Sequence, residues 1–259
     1  MTDTGCLLKI AQDAALDAGK IIMEIYYSGS FESDLKPGEF PSTIADKRAH
    51  RIITEHLDKT NLPVLSEEGM NIDFKERRNW EYFWMIDPLD GTKEFIHKNG
   101  EFTINIALIK QNIPVAGVIY VPISDTLYHG STETGIYKNE KGKRIQFPPL
   151  LKRNQFTDIL QKKQTTITVS RSHPSPQTND FIKKFKNVSI KSMGSSLKFM
   201  LLLENEADIY PRFGTTMEWD TAAAHAILNA ANMGIYQSNL KSELVYNKPD
   251  LKNPFFIAF

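Results

Sequence analysis

Residues 84–92 read Trp-Met-Ile-Asp-Pro-Leu-Asp-Gly-Thr, an apolar run that ends in two carboxylates three residues apart. The apolar residues before Asp87 predict a buried strand, and Pro88 stiffens the turn that separates Asp87 from Asp90. Carboxylates at the end of a buried strand point into a cleft, which makes this pair a candidate for chemistry. Asp-Pro and Asp-Gly are also common turn sequences, so the pair alone leaves a purely structural role open.

Two further segments place acids beside predicted secondary structure. Glu67 and Glu68 follow a short apolar strand at 63–66, and Asp220 lies at the start of a predicted helix at 219–231, where by itself it is an ordinary helix cap. If these acids converge, their mutual repulsion raises their pKa values unless divalent cations lie among them. Oxygen ligands without clustered Cys or His select a hard ion such as magnesium.

A short helix is predicted directly after the acids, at 91–96, and the free N–H groups of its first turn suit a phosphate oxygen. Thr92 is placed to orient or deprotonate a water molecule, provided that a carboxylate accepts the proton. Asp46, at the start of another predicted helix, is the candidate acceptor, although it would serve equally as a helix cap. Metal, water and phosphate would then share one pocket.

Outside this segment, the first half of the chain predicts two helices and about six consecutive strands, and the second half alternates strands with helices. The helices are expected at 7–25, 46–57, 175–186, 195–204 and 219–231, and the strands at 63–66, 82–87, 102–109, 115–121, 126–129, 135–138, 167–170, 188–192 and 208–213. Residues 146–164 lack a clear period, which predicts a boundary between domains at 1–150 and 151–259. The consecutive strands argue against an eightfold barrel and favour a layered αβαβα sandwich of the α+β class.

The amino-acid composition limits the kinds of partner that the chain is expected to bind. The 259 residues are 41% hydrophobic and include 31 basic and 31 acidic residues, so the chain has no net field for nucleic acid or an anionic membrane. Cys6 has no second cysteine to pair with, no targeting segment is visible at the N-terminus, and no apolar run reaches the roughly 20 residues that cross a bilayer. We therefore expect a cytoplasmic protein that binds a small charged molecule. Association with the inner membrane face, and the choice between monomer and homodimer, stay open.

Four segments resemble the magnesium-dependent, lithium-sensitive phosphatases of the inositol monophosphatase superfamily. They are Pro-Val-Leu-Ser-Glu-Glu at 63–68, Trp84 through Phe95, Asn-Gly-Glu-Phe-Thr at 99–103 and Trp-Asp-Thr-Ala-Ala at 219–223. Lys-Glu-Phe at 93–95 and Gly-Ser-Ser-Leu-Lys-Phe at 194–199 are similar to the CysQ branch, the bacterial adenosine 3',5'-bisphosphate nucleotidases. The resemblance extends from about residue 36 to residue 229 and implies the layered sandwich of that superfamily.

The resemblance also implies a role for each residue of the site. It implies two or three magnesium ions, held by the side chains of Glu67, Asp87, Asp90 and Asp220 and by the backbone carbonyl of Leu89. Activation of water is implied for Thr92 and Asp46, together with Glu67. Contacts to the nucleotide and its phosphates are implied for Gly91, Thr92, Arg171, His173, Ser195, Lys198, Arg212 and Asp220. Without the resemblance, Lys198 reads as a solvated helix residue and His173 as a loop histidine.

The activity implied is hydrolysis of the 3'-phosphate of adenosine 3',5'-bisphosphate to AMP and phosphate, with 3'-phosphoadenosine 5'-phosphosulfate as a second substrate, in sulfate assimilation. An inositol or sugar monophosphatase would use the same metals without the cations Arg171, Lys198 and Arg212. A binding module without catalysis would not need Thr92 with Asp46. Residues 36–46 depart from the Lys-x-Asp-x-Ser-Pro-Val-Thr pattern of the family, which leaves a third ion and lithium inhibition open.

Overall fold

The computed structural model describes residues 3–28, 33–34, 42–171 and 175–259, with backbone only at 33–34 and 42–43. His173 and most of the altered 36–46 loop lie outside these residues. The helices are α1 (Thr4–Ser28), α2 (Ile44–Leu57), α3 (Phe74–Arg77), α4 (Thr92–Ile96), α5 (Phe156–Leu160), α6 (Pro176–Ile182), α7 (Leu197–Leu203) and α8 (Trp219–Ala230). The strands are β1 (Ser33–Asp34), β2 (Ser42–Thr43), β3 (Val64–Ser66), β4 (Tyr82–Asp90), β5 (Thr103–Lys110), β6 (Ile113–Val121), β7 (Thr126–Ser131), β8 (Gly135–Glu140), β9 (Lys143–Phe147), β10 (Thr165–Ser170), β11 (Val188–Met193), β12 (Tyr210–Arg212), β13 (Ile235–Gln237) and β14 (Phe256–Ala258).

A seven-stranded sheet in the order β3 to β9 forms the centre of the first half. The β3 and β4 pair is parallel and the other neighbours are antiparallel. The six predicted strands are all present, and β9 adds a seventh that the sequence pattern did not indicate. Residues 143–146 of β9 are exposed, and only Ile145 and Phe147 of this edge strand are apolar, which is too short an alternation for a strand to be recognised.

Helices cover both faces of this sheet because its side chains alternate between them. Trp84 and Ile86 of β4 pack in one apolar cluster with α1 and α2, whereas Phe83 and Met85 pack in another cluster with α8. Gly117 of β6 allows α8 to approach closely, since a Cβ atom there would lie 2.2 Å from the backbone oxygen of Ala223. Asp87, which continues the Phe83 and Met85 face, therefore lies on the α8 side of the sheet.

The second half supplies the remaining layers. Strands β10 and β11 pair in parallel, and β12, β14 and β13 form an antiparallel sheet of three strands. An isolated bridge between Ile167 and Ile209 connects these two sheets. Ile159 of α5 and Phe181 of α6 pack on Ile257 of β14, in a third apolar cluster. Since α7 and α8 lie between the two sheets, the predicted αβαβα layering is confirmed.

The proposed division at residue 150 stays a prediction. Helix α8 belongs to the second half of the sequence, yet it packs on β5 and β6 of the first half and shares one apolar cluster with them. Within the described residues, no helix has both the length and the apolar character needed to cross a membrane.

Candidate active site

The end of β4 presents two carboxylates because the strand is irregular there. Its pairing with β5 shifts register between Asp87 and Asp90, and the backbone N–H of Leu89 donates to Asp87 Oδ1 at 3.1 Å. The strand continues through Pro88, which the sequence pattern had placed in a turn. This irregularity brings Asp90, as well as Asp87, to the wall of one cavity of about 150 Å³.

Three of the predicted acids converge. Glu67, Asp87 and Asp220 each offer a carboxylate oxygen, and these oxygens all lie within 4.8 Å of one another. Glu67 is brought there because β3 runs parallel to β4, so that both strands end at the same edge of the sheet. Asp220 comes from the first turn of α8, where the backbone N–H of Met217 donates to its Oδ2 at 2.9 Å. Asp90 lines the same cavity beside this group.

The burial and convergence of these three carboxyl groups raise their pKa values. Burial, followed by the charges of Asp220 and Asp46, raises the pKa of Glu67 to about 9, although one side of the residue reaches the cavity and is exposed. Burial and the charge of Asp90 raise the pKa of Asp220 to about 7. Burial also raises the pKa of Asp87 well above its ordinary value, and the charge of Glu67 adds to this effect. The acids therefore compete with one another for ionisation until positive charge is added among them.

The donor set fits a divalent cation. All three converging groups are carboxylates, and hard oxygen ligands of this kind suit magnesium better than a softer transition metal. The backbone carbonyl of Leu89, another predicted ligand, lies in the same wall and accepts a hydrogen bond from Thr92 Oγ1 at 3.3 Å.

The predicted short helix is present as α4, and it places Thr92 beside Asp46. The Thr92 hydroxyl lies 3.3 Å from Asp46 Oδ1, and Asp46 is a buried carboxylate on α2. Gly91 begins this helix with a positive φ of 92°, and a Cβ atom there would lie 3.0 Å from the backbone oxygen of Glu101. Helix α2, which carries Asp46, also contacts β3, since His50 Nδ1 lies 2.9 Å from Ser66 Oγ.

Two buried cations also line the cavity wall. Lys198 is 5% exposed, and its ammonium group donates to the backbone oxygens of Ser195 at 2.6 Å and Met193 at 3.3 Å. Burial lowers its pKa to about 8. Arg212 is also buried, donates to the backbone oxygen of Thr215, and has no hydrogen-bond partner for Nε among the described residues. Lys198 is thus not the solvated helix residue that its position alone suggests.

Arg171 is arranged differently from these two cations. Its guanidinium forms a two-pronged ion pair with Glu101, at 2.8 and 2.6 Å, and also donates to the backbone oxygen of Ser192. Ser170, its neighbour, lines the cavity, but Arg171 is not among the described lining residues. Ser195 lines the cavity and has a positive φ of 49°.

Sequence reasoning missed two polar residues of the site, Thr103 and Asn105 of β5. They pair in register with Asp90 and Asp87 of β4, and both are buried. Their signal in the sequence is weak but visible, because they interrupt an otherwise apolar run at 102–109 on alternate positions.

Comparison with known proteins agrees with this geometry. A 3'(2'),5'-bisphosphate nucleotidase CysQ from Buchnera aphidicola is 44% identical over 226 residues, which cover 86% of this chain and 81% of the relative. The protein of the same name from Salmonella typhimurium is 38% identical over 245 residues, covering 93% of this chain and 95% of the relative.

Solved structures show the same fold. The crystal structure of CysQ from Bacteroides thetaiotaomicron, described as a bacterial member of the inositol monophosphatase family, is 43% identical with a TM-score of 0.84, over 100% of this chain and 98% of that one. The extragenic suppressor protein suhB from Bartonella henselae, at 24% identity and a TM-score of 0.77, shares the fold over 98% of this chain and 93% of that one. The model of the inositol monophosphatase family matches residues 3–253. The chain therefore belongs to the inositol monophosphatase family.

Proposed function

We propose that this chain is a 3'(2'),5'-bisphosphate nucleotidase, a phosphatase that converts adenosine 3',5'-bisphosphate to AMP and phosphate. One observation carries the choice of substrate. The acidic cluster and the two buried cations, Lys198 and Arg212, line the same cavity. The names of the relatives support the same activity. A 5'-phosphosulfate in place of the 5'-phosphate presents similar charge, so 3'-phosphoadenosine 5'-phosphosulfate is proposed as a second substrate.

The acids and the Leu89 carbonyl would hold magnesium, two or three ions by analogy with the family, through Glu67, Asp87, Asp90 and Asp220. When bound, magnesium supplies positive charge that neutralises the phosphate and lowers the pKa of water. The pKa values of Glu67, Asp87 and Asp220 are raised in the absence of a cation, so these three carboxyls are more fully ionised when a cation is bound. Magnesium binding is therefore expected to release protons.

Thr92 and Asp46 would handle the proton of the attacking water. The Thr92 hydroxyl accepts a proton from the water and passes its own proton to Asp46, whose Oδ1 lies 3.3 Å away. The water oxygen then forms a bond to phosphorus while the bond from phosphorus to the 3'-oxygen breaks. The 3'-oxygen takes a proton from a solvent water molecule and leaves as the hydroxyl of AMP, and Asp46 then returns its proton to solvent. A module that only binds nucleotide would have no use for this pair.

Lys198 and Arg212 would bind the phosphate that is not cleaved. Arg212 Nε is a buried donor without a described partner, and an anion in the cavity would satisfy it. An inositol or sugar monophosphatase has no second phosphate on its substrate and no need to bury two cations here. Burying cations that form no ion pair with a described carboxylate is costly, which favours a substrate whose negative charge pairs with them.

A substrate panel tests the proposal. We expect magnesium-dependent release of phosphate from adenosine 3',5'-bisphosphate to exceed release from adenosine 3'-monophosphate, inositol 1-phosphate and fructose 1,6-bisphosphate. Lys198→Ala or Arg212→Ala removes a charge-assisted contact of about 1.5 to 3 kcal/mol, so kcat/KM for the bisphosphate should fall roughly ten- to hundred-fold. Hydrolysis of the 3'-monophosphate should hardly change.

Lys191→Ala is the matched control, since the side chain of Lys191 is 40% exposed, pairs with Glu206 and does not line the cavity. It should leave both substrates unaffected. If Lys198→Ala lowered the rates on both substrates in parallel, the second-phosphate assignment would be wrong. If inositol 1-phosphate were the preferred substrate, the nucleotidase assignment would be wrong as well.

A further inference from the structure

A chain of buried hydrogen bonds connects β5 with the Asp90 carboxylate. The Ser196 hydroxyl is shared between Asp90 Oδ2 at 2.9 Å and the backbone oxygen of Asp220 at 3.1 Å, and Asn105 Nδ2 lies 3.3 Å from Asp90 Oδ2 and 3.0 Å from Ser196 Oγ. Asn105 and Ser196 are each 1% exposed. One oxygen of Asp90 therefore accepts hydrogen bonds from two side chains, one on the central sheet and one at the start of α7.

The direction of these hydrogen bonds follows from the chemistry of the groups. A carboxylate only accepts, so the amide nitrogen of Asn105 faces Asp90 and its oxygen faces Thr103. Thr103 Oγ1 donates to that oxygen at 3.0 Å and so has no proton left for Ser195, whose Oγ lies 2.7 Å away. Ser195 must therefore donate to Thr103, and the donors of Ser195, Thr103 and Asn105 follow one another toward Asp90.

This arrangement fixes how Asp90 is presented. Its Oδ2 has two described donors, whereas its Oδ1 has no hydrogen bond to any described residue, and the side chain lines the cavity. A carboxylate held in this way offers one oxygen to a cation without rotating about its Cβ–Cγ bond. Ligands that are hydrogen-bonded on the side away from the metal bind it more strongly, because they need no reorganisation.

We propose that Asn105 is a positioning residue that orients Asp90 for cation binding and, through Thr103, connects this ligand with Ser195 of the substrate cavity. The assignment rests on the proposed function only in its requirement for a divalent cation. Asparagine suits the position because its two N–H groups and one oxygen match the carboxylate, Ser196 and Thr103 at once. An aspartate at position 105 would repel Asp90. An apolar side chain there would leave Asp90 Oδ2 with one hydrogen-bond donor.

Metal binding to the substrate-free protein tests the proposal, with manganese as the calorimetric probe in place of magnesium. Asn105→Leu, a change of similar volume, should weaken manganese binding by about ten- to hundred-fold. The matched control is Thr168→Val on β10, which is equally buried, has no hydrogen-bond partner for its hydroxyl among the described residues and does not line the cavity. It should keep the affinity of the unaltered protein. In turnover, Asn105→Leu should raise the magnesium concentration for half-maximal rate, with KM for nucleotide unchanged at saturating magnesium.

A double-mutant cycle separates positioning from general damage to the fold. In an Asp90→Ala background, Asn105→Leu should cause no further loss of manganese affinity, because the residue through which it acts is absent. If Asn105→Leu does not unfold cooperatively, Ser196→Ala removes the other donor to the same oxygen and should weaken manganese binding in the same direction. Unchanged manganese affinity in Asn105→Leu, or an undiminished loss in the Asp90→Ala background, would overturn the proposal. Calorimetry uses no nucleotide, so this result is independent of whether adenosine 3',5'-bisphosphate proves to be the substrate.

Discussion

The Asp90 carboxylate lies beside the acidic cluster, with one oxygen held by Ser196 and Asn105. Asp90→Asn keeps the side-chain volume but removes the charge that would bind a cation. Loss of several kcal/mol of transition-state stabilisation should lower turnover about thousands-fold at saturating magnesium, with the fold intact by circular dichroism. Activity within about tenfold of the unaltered enzyme, roughly 1.4 kcal/mol, would contradict the assignment of Asp90 as a ligand.

The Thr92 hydroxyl is shared between Asp46 Oδ1 and the Leu89 carbonyl, each at 3.3 Å. If this hydroxyl transfers a proton, Thr92→Val should depress kcat with little change in the magnesium or substrate requirement, because Val keeps the shape and lacks the hydroxyl. Thr92→Ser retains the hydroxyl and is the matched control, which should keep most of the activity. Equal losses in steady-state assays of both variants would mean that the shape of the side chain matters and its hydroxyl does not.

Sequence patterns indicated some residues of the candidate site and did not indicate others. Asp87 and Asp90 stand out because acids follow an apolar strand directly, and the irregular end of this strand brings both to the cavity wall. Lys198 does not stand out, since its helix position predicts solvation whereas packing between the sheets buries it. Asn105 was missed because one polar residue in an apolar run is also compatible with a solvated edge. Only the neighbouring strand and α7 give it a partner.

Helix α8 carries Asp220, and its distance from the large sheet depends on Gly117. A Cβ atom at 117 would lie 2.2 Å from the Ala223 oxygen, which forces the helix and β6 apart. Gly117→Ala should therefore destabilise the protein by about 1 to 3 kcal/mol, as expected for overpacking, and weaken magnesium activation because Asp220 moves away from Glu67 and Asp87. Thermal unfolding and the magnesium dependence of the rate measure the two effects.

Gly5→Ala is a suitable control for that substitution. Gly5 lies in the first turn of α1, remote from α8, and the nearest atom to a Cβ atom there would be a flexible side-chain oxygen of Asp3 at 3.2 Å. Alanine is the better helix former, so the unfolding temperature should stay the same or rise. If Gly117→Ala matched Gly5→Ala in stability, close packing between α8 and β6 would not position Asp220.

Elements with a clear period were predictable, and elements without one were not. The apolar residues of α1 and α8 recur at helical spacing, and both helices fall within a few residues of their predicted limits. Strands β13 and β14 have three residues each, too short for a period of two to be distinguished from chance. Both are stabilised by pairing with distant strands, which local sequence cannot indicate.

At the scale of the whole molecule, the candidate site joins the two halves of the chain. Glu67 and Asp87 come from the large sheet, whereas Asp220, Lys198 and Arg212 come from the second half. The sequence indicates that each segment carries chemistry, but their meeting depends on the packing of α8 between two sheets. For this reason the layered class was predictable from the order of strands and helices, and the site geometry was predictable only through resemblance to a known family.

Bringing these acids together should make the metal-free protein less stable as pH rises. In the unfolded chain the carboxyls of Glu67 and Asp220 ionise near their ordinary pKa values of 4.5 and 3.8, whereas in the folded protein their pKa values are about 9 and about 7. At pH values between the unfolded-state and the folded-state pKa values, the folded state binds more protons than the unfolded state. The free energy of unfolding therefore decreases with increasing pH in this range. The decrease begins above about pH 4 and is complete only above about pH 9.

Magnesium should reverse this trend, because it binds the ionised carboxylates and only the folded chain presents them together. In thermal unfolding with a chelator, the unfolding temperature should fall between about pH 6 and about pH 8.5, and added magnesium should raise it more at the higher pH. Glu67→Gln removes the group whose pKa is raised to about 9 and should flatten the decline in the chelated protein. A magnesium effect that is equal at both pH values, or a decline that persists unchanged in Glu67→Gln, would show that the converging carboxyls do not control stability, since their repulsion is the physical origin of both effects.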